Sequence, residues 1–146
     1  IIPITYENWL IVKKYKIYGC RTYNNPRNPY SLIRKGDYIL FYVKKGESKY
    51  SKGFVALAKV VSNWFLDLVN TIWSEEKQSG KVVYPHRIKI EIIQEGFVPL
   101  SKVVDKLSFI KNKERPQVFL SGTPANFRKP IPEEDAKRIV VLLGGN

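Results

Sequence analysis

The segment of residues 84–100 carries the pattern that most restricts how this chain can fold. Isoleucine occupies positions 88, 90 and 92, and charged residues occupy positions 89 and 91. A period of two places alternate side chains on opposite faces of an extended chain. The pattern therefore predicts a strand that buries one face, and this is the most clearly defined element of the chain.

The other segments predict a mixture of strands and helices. Thr5 is a suitable N-cap for a helix of about ten residues that ends near Lys16. The remaining predicted strands are residues 1–5, 34–45, 54–65 and 118–120, and the remaining helices are residues 66–72, a segment from Ser101 and a segment from Pro132. This order indicates an α+β domain around a small, strongly curved sheet or barrel.

The length and the lack of targeting signals suggest how the chain is organised. The 146 residues make up one domain, residues 1–146. We expect no membrane-spanning helix, because no apolar run reaches about 18 residues, and we see no signal peptide. A single cysteine, Cys20, cannot form an internal disulfide, which favours the cytoplasm. The start at Ile1 without methionine and the glycines at residues 144–145 predict a fragment of a longer chain.

The charge indicates what the domain binds. Lysine and arginine total 25 against 13 acidic residues, a net charge of +12 that favours polyanions. A lysine-rich surface of the thermophile type is the alternative interpretation. Aromatic residues make up 13% of the chain, and rings beside basic residues suit base stacking next to phosphate contacts.

The residues that catalysis requires are not arranged for it in the sequence. His86 is the single histidine and lacks partners for a metal site. The chain has no GxSxG elbow and no glycine-rich phosphate loop. Cys20 is better explained as a small buried residue, and Glu75 with Glu76 is assigned to a solvated loop. We therefore predict no catalytic residue, no metal and no cofactor.

A set of aromatic side chains near loops and strand ends remains, with basic residues beside them. For any one ring, packing in the core is an equally good explanation. The rings are Tyr18, Tyr23, Tyr30, Trp64, Trp73 and Tyr84, and the basic neighbours are Arg21, Arg27, Arg87, Arg115, Arg128 and Lys129.

Four segments, in order, resemble the EVE domain of the PUA-like superfamily, which also contains the YTH readers of methylated adenine. The segments are residues 7–21, 34–43, 62–93 and 107–143. In the first, Tyr18 stands where the family usually has the tryptophan of a Trp-Gly-Val turn. The resemblance implies a small curved β-barrel flanked by about three helices, with a pocket for one modified base.

The resemblance also implies which residues form that pocket. Tyr18 becomes one wall of an aromatic cage, and Asn8, ten residues earlier, becomes a contact to the base edge. Asn8 has an equally good explanation as a first-turn helix residue. Trp73 or Trp64 forms the second wall, with Trp73 favoured, and Tyr23 is the ring to pair with Trp64. We expect the rings to line a cavity rather than fill the core. The candidate phosphate contacts are Arg21, Arg27, Arg115, Arg128 and Lys129, each of which could also be a solvated surface charge.

These inferences favour a non-catalytic module that binds nucleic acid and recognises a flipped methylated base. The leading hypothesis is 6-methyladenine in DNA, read by the N-terminal targeting domain of an McrB-type restriction protein or by a stand-alone EVE protein. The alternative is an RNA-binding PUA-like module that reads a modified RNA base. A small hydrolase or nuclease is a third hypothesis, which lacks its catalytic residues. The expected partner is nucleic acid, DNA before RNA, and not a membrane.

Overall fold

A curled mixed sheet forms the centre of the computed structural model, which describes residues 1–22, 29–121, 126 and 129–145. The segment with alternating isoleucines is its longest strand within these residues. The strands are β1 (Ile2–Ile4), β2 (Ile17–Cys20), β3 (Tyr38–Val43), β4 (Gly53–Val60), β5 (Phe65–Leu66) and β6 (His86–Pro99). The predicted α+β class with a curved sheet is confirmed.

The strand order places β1 and β2 at opposite ends of the sheet. The order is β1-β3-β4-β6-β2, and β5 also pairs with β6. β1 lies parallel to β3, and the other pairs are antiparallel. The register of β4 against β6 shifts between Phe54 and Ala56 and again between Leu57 and Ala58. Such irregularities bend strands and increase their twist, which helps the sheet to curl.

Helices cover both faces of the sheet. In the described residues they are α1 (Tyr6–Tyr15), α2 (Ser74–Ser79), α3 (Leu100–Val103) and α4 (Glu133–Gly145). The Thr5 side chain caps α1 by accepting a hydrogen bond from the backbone N–H of Asn8 at 3.2 Å, as predicted. Within this part of the chain, no helix has both the length and the apolar character that crossing a membrane requires.

Two predicted elements are wrong, and local chemistry explains each. Residues 66–72 do not form a helix, because the Asp67 carboxylate accepts hydrogen bonds from the backbone N–H groups of Val69 and Asn70 and forms a turn. Residues 118–120 do not form a strand. Pro116 begins a 3-10 turn over Pro116–Phe119, a position that suits a residue without a backbone N–H.

β3 separates two hydrophobic clusters because both of its faces are covered. Ile39 and Phe41 face a cluster that contains Trp9 of α1, whereas Leu40 faces a cluster that contains Ile139 of α4. The near-continuous burial of β3 follows from this arrangement. The first cluster also contains Tyr18, Trp73, Ile88 and Ile90. Part of the candidate site is therefore built into the core.

Candidate functional site

A cavity of about 350 Å³ lies where the two end strands of the curled sheet both contribute residues. β1 supplies Pro3 and Ile4, and β2 supplies Tyr18, Gly19 and Cys20. The volume falls within the range of about 300–1,000 Å³ that is typical of small-molecule sites. The same cavity is lined by six residues that the sequence analysis singled out: Asn8, Tyr18, Arg21, Tyr30, Trp73 and Tyr84.

Tyr18 forms one wall of the cavity and is supported by the core behind it. The residue is 7% exposed, and its ring centroid lies 6.0 Å from that of Tyr30 and 6.0 Å from that of Phe41. Burial, followed by the neighbouring Tyr30, raises the pKa of the Tyr18 phenol well above its ordinary value. The phenol therefore stays neutral at physiological pH.

Trp73 packs directly on the backbone of β2. A Cβ atom added to Gly19 would lie 2.6 Å from Cη2 of the indole, so only glycine permits this approach. The Tyr84 ring stands edge-on at 5.4 Å, and the Arg87 guanidinium lies 5.2 Å from the indole centroid. Trp73 is only 2% exposed. Tyr18 and Trp73 line a cavity as expected, but the expectation that they do not fill the core is wrong, because both also belong to the first hydrophobic cluster.

The Glu76 carboxylate holds the segments that carry Trp73 and Tyr84. It is fully buried, which corrects its assignment to a solvated loop. It accepts hydrogen bonds from the backbone N–H groups of Ile72 at 2.9 Å, Trp73 at 3.3 Å, Val83 at 2.8 Å and Tyr84 at 3.0 Å. Burial alone would raise the pKa of Glu76, but these four donors outweigh it and hold the pKa below its ordinary value.

Arg87 is the cationic partner of Glu76 and is 1% exposed. Its guanidinium also donates to the Tyr84 carbonyl at 2.9 Å, the Asp67 carboxylate at 3.0 Å and the Asn70 carbonyl at 2.6 Å. Hydrogen bonds from the Asn70 backbone and side chain lower the pKa of Asp67 to about 2. The buried Arg87 guanidinium thus joins β6 to the loop before α2, and its N–H donors bind acceptors inside the protein.

Arg21 lies on the exposed rim of the cavity. It bonds to Glu75 at 2.9 Å, and its guanidinium carbon lies 5.5 Å from the Tyr84 ring centroid. The Tyr84 hydroxyl donates to the same Glu75 carboxylate. Glu75 therefore orients both Arg21 and Tyr84 at the edge of the site.

Other residues predicted from the sequence lie elsewhere. The indole N–H of Trp64 donates to the Ile33 carbonyl at 2.9 Å, and Trp64 does not line this cavity. Arg115 is exposed just before the Pro116–Phe119 turn, and Lys129 lines a separate cavity. Tyr23, Arg27 and Arg128 lie outside the described residues.

Three residues of the site went unrecognised in the sequence. Lys44 at the end of β3 lines the cavity, and the paired lysines after an apolar strand were its signal. Glu76 had no clear signal, because Trp73, three residues earlier, is not the serine or threonine that marks a capping box. Cys20 lines the cavity, and burial raises the pKa of its thiol to about 12. Across the described ranges, no three His, Cys, Asp or Glu side chains are grouped to hold a metal ion.

Comparison with known proteins gives consistent matches over nearly the whole chain. The model of the EVE domain matches residues 5–142. A UPF0310 protein of Saccharolobus solfataricus is 36% identical over 144 residues, which cover 98% of this chain and 93% of the relative. A UPF0310 protein of Pyrococcus abyssi is 33% identical over 140 residues, which cover 94% of this chain and 93% of the relative.

Two solved structures share the fold. The YTH domain of the Zygosaccharomyces rouxii MRB1 protein, solved in complex with N6-methyladenosine RNA, has a TM-score of 0.58 at 23% identity and covers 98% of this chain and 84% of its own. The Pho92 YTH domain, solved in complex with m6A, has a TM-score of 0.59 at 17% identity. The match covers 97% of this chain and 80% of the Pho92 domain. At these identities, the likeness concerns the fold alone.

Glu76→Gln should destabilise the fold by about 3 kcal/mol, because it removes one of the two carboxylates paired with the buried Arg87 and replaces one acceptor oxygen by an amide donor. The folded-state pKa of Glu76 lies below its ordinary value of 4.5, so its contribution is complete above that pH and is lost as pH falls through the folded pKa. Urea denaturation between pH 7 and pH 3 should show a steep loss for wild type and a shallower one for the variant. Glu75→Gln, one residue away and exposed, is the control and should change the unfolding free energy by less than about 0.5 kcal/mol. Equal stability of the two variants would contradict this role.

Gly19→Ala should displace the Trp73 indole, because the new methyl group would lie 2.6 Å from Cη2. Overpacking of this kind costs about 1–3 kcal/mol. The measurements are thermal unfolding and the NMR position of the Trp73 indole N–H signal. Gly46→Ala is the matched control, since its nearest neighbour would be the Ser51 hydroxyl at 3.5 Å, an ordinary contact. An unmoved indole signal in Gly19→Ala would show that the close approach is not maintained in solution.

Proposed function

Because the chain belongs to the EVE domain family, as four of its segments predicted, we propose that it binds nucleic acid and holds one flipped, modified base in the cavity between β1 and β2. The module acts by binding and carries out no reaction itself. The observation that carries the proposal is the convergence of Asn8, Tyr18 and Trp73 on one cavity. These residues come from α1, β2 and the start of α2, which are separate segments of the chain.

The energetics of base capture agree with such a site. Extruding a base from a stack costs a few kcal/mol, and stacking on an aromatic ring returns about 1–3 kcal/mol. Tyr18 and Trp73 are fixed by the core before any ligand arrives, so little ordering cost remains to be met on binding. A buried methyl group contributes about 0.8 kcal/mol by area. Stronger discrimination therefore depends on how closely the cavity fits the modified base.

Asn8 can contact the edge of that base. Its side chain is half-buried in the first turn of α1, and only its backbone N–H is used for the Thr5 cap within the described hydrogen bonds. The amide offers both a donor and an acceptor. Asparagine pairs in a bidentate manner with the N6 and N7 edge of adenine, and an N6-methylated adenine retains one N6 proton for such a bond. We propose N6-methyladenine as the leading ligand.

RNA is the better supported carrier of this base. The structural neighbours are YTH domains solved with N6-methyladenosine RNA and with m6A, which agrees with the RNA-binding alternative. The preference for DNA that was inferred from the sequence stays a prediction. The role in a restriction complex also stays a prediction. A protein contact to the ribose 2′-hydroxyl would separate RNA from DNA.

A binding panel tests this function directly. Fluorescence anisotropy should show that a single strand with one N6-methyladenine binds at least about tenfold more tightly than its unmodified or methylcytosine counterpart, in RNA, DNA or both. Asn8→Ala should reduce affinity for the methylated strand by about tenfold, because one bidentate base contact is worth about 1–3 kcal/mol. Asn63→Ala, an exposed asparagine that does not line the cavity, should leave the affinity unchanged. Equal binding of methylated and unmodified strands of both kinds would refute the proposed function.

A further inference from the structure

A second depression of about 730 Å³ adjoins the cavity. The two share three lining residues: Pro3, Tyr30 and Lys44. The larger depression extends from these residues over Tyr42 and Leu100 to the 3-10 turn that begins at Pro116. A ligand bound in the cavity therefore has a continuous path along the surface into the larger depression. We call this larger depression the lysine groove.

The lining of the lysine groove combines cationic and apolar side chains. Lys44, Lys45 and Lys52 line it, and none of its described lining residues is acidic. In the described residues, no carboxylate forms an ion pair with any of these three lysines. Leu100 and Leu120 are buried and line the same groove. Ammonium groups without a paired carboxylate, next to apolar residues, suit a strand whose phosphates and bases lie side by side.

The backbone at Lys52 is unusual for a lysine. Its φ of 56° lies in the left-handed region, which favours glycine. The position is fixed, because its N–H donates to the Val43 carbonyl at 2.8 Å and its carbonyl accepts from Leu100 N–H at 2.9 Å. A long cation is therefore carried at the groove by a rigid hairpin end, at a position where glycine would fit with less strain.

We propose that the lysine groove binds the phosphodiester backbone that continues from the flipped nucleotide, so that the site recognises a single strand rather than an isolated base. This inference rests on the proposed function of the cavity. Lys44, which lines both depressions, contacts the phosphate next to the captured nucleotide. Lys45 and Lys52 contact phosphates further along the same strand. These lysines supply sequence-independent affinity, and the cavity supplies selectivity.

The test separates the groove from the cavity with two probes. One is the nucleoside N6-methyladenosine, which has no phosphate, and the other is a nine-nucleotide single strand that contains it, made as RNA and as DNA. The double variant Lys45→Ala, Lys52→Gly should bind the strand about tenfold more weakly at low salt, with a slope of log K against log salt reduced by about 0.7 per lost contact. Its affinity for the nucleoside should not change.

Lys16→Gly is the matched control. Lys16 also has a left-handed φ, 57°, but lines neither the cavity nor the groove, so this variant repeats the Lys52→Gly change of one charge and one left-handed residue in a different place. It should bind both probes like wild type. If the double variant binds the strand with the affinity and the salt slope of the wild type, the groove assignment is wrong, and the proposed function remains intact. Failure of the wild-type protein to bind either probe would instead overturn the proposed function, and the groove assignment with it.

Discussion

The buried ion pair between Glu76 and Arg87 is the interaction on which the site depends. Glu76 accepts four backbone hydrogen bonds from residues on both sides of α2, and Arg87 joins the same segments to β6. These segments have little regular structure of their own, since α2 has six residues. Without the carboxylate, their buried N–H groups would lack acceptors, which is costly. The positions of Trp73 and Tyr84 follow from this one pair.

The cavity is the consequence of that pair and of the curl of the sheet. The Glu76–Arg87 ion pair positions the segment in which Trp73 packs on Gly19, and the core holds Tyr18 against Phe41. Because β1 and β2 end the strand order and both line the cavity, the opening lies where the sheet fails to close. The result is a preformed, uncharged recess whose edge carries Arg21 and Lys44. Under the proposed function, selectivity and electrostatic attraction thus come from adjacent but separate parts of one surface.

Local patterns predicted a large share of this structure. The period of two located β6, and the capping threonine located α1. The resemblance to the EVE domain selected Asn8, Tyr18 and Trp73, which line one cavity. The chain pattern could not show that Glu76 is buried, because two consecutive glutamates suggest an exposed segment and the burial depends on Arg87, 11 residues away. The lysine groove was missed for a similar reason, since β3, β4 and the Pro116 turn meet only in the folded chain.

The central claim is that the cavity receives the methylated base itself. The most direct measurement is an NMR search for intermolecular NOEs from the N6-methyl protons of a bound methylated strand. We predict NOEs to the rings of Tyr18 and Trp73, because both line the cavity and Trp73 packs on Gly19 next to Tyr18. NOEs from that methyl group only to residues outside the cavity, such as Trp64, would contradict the account.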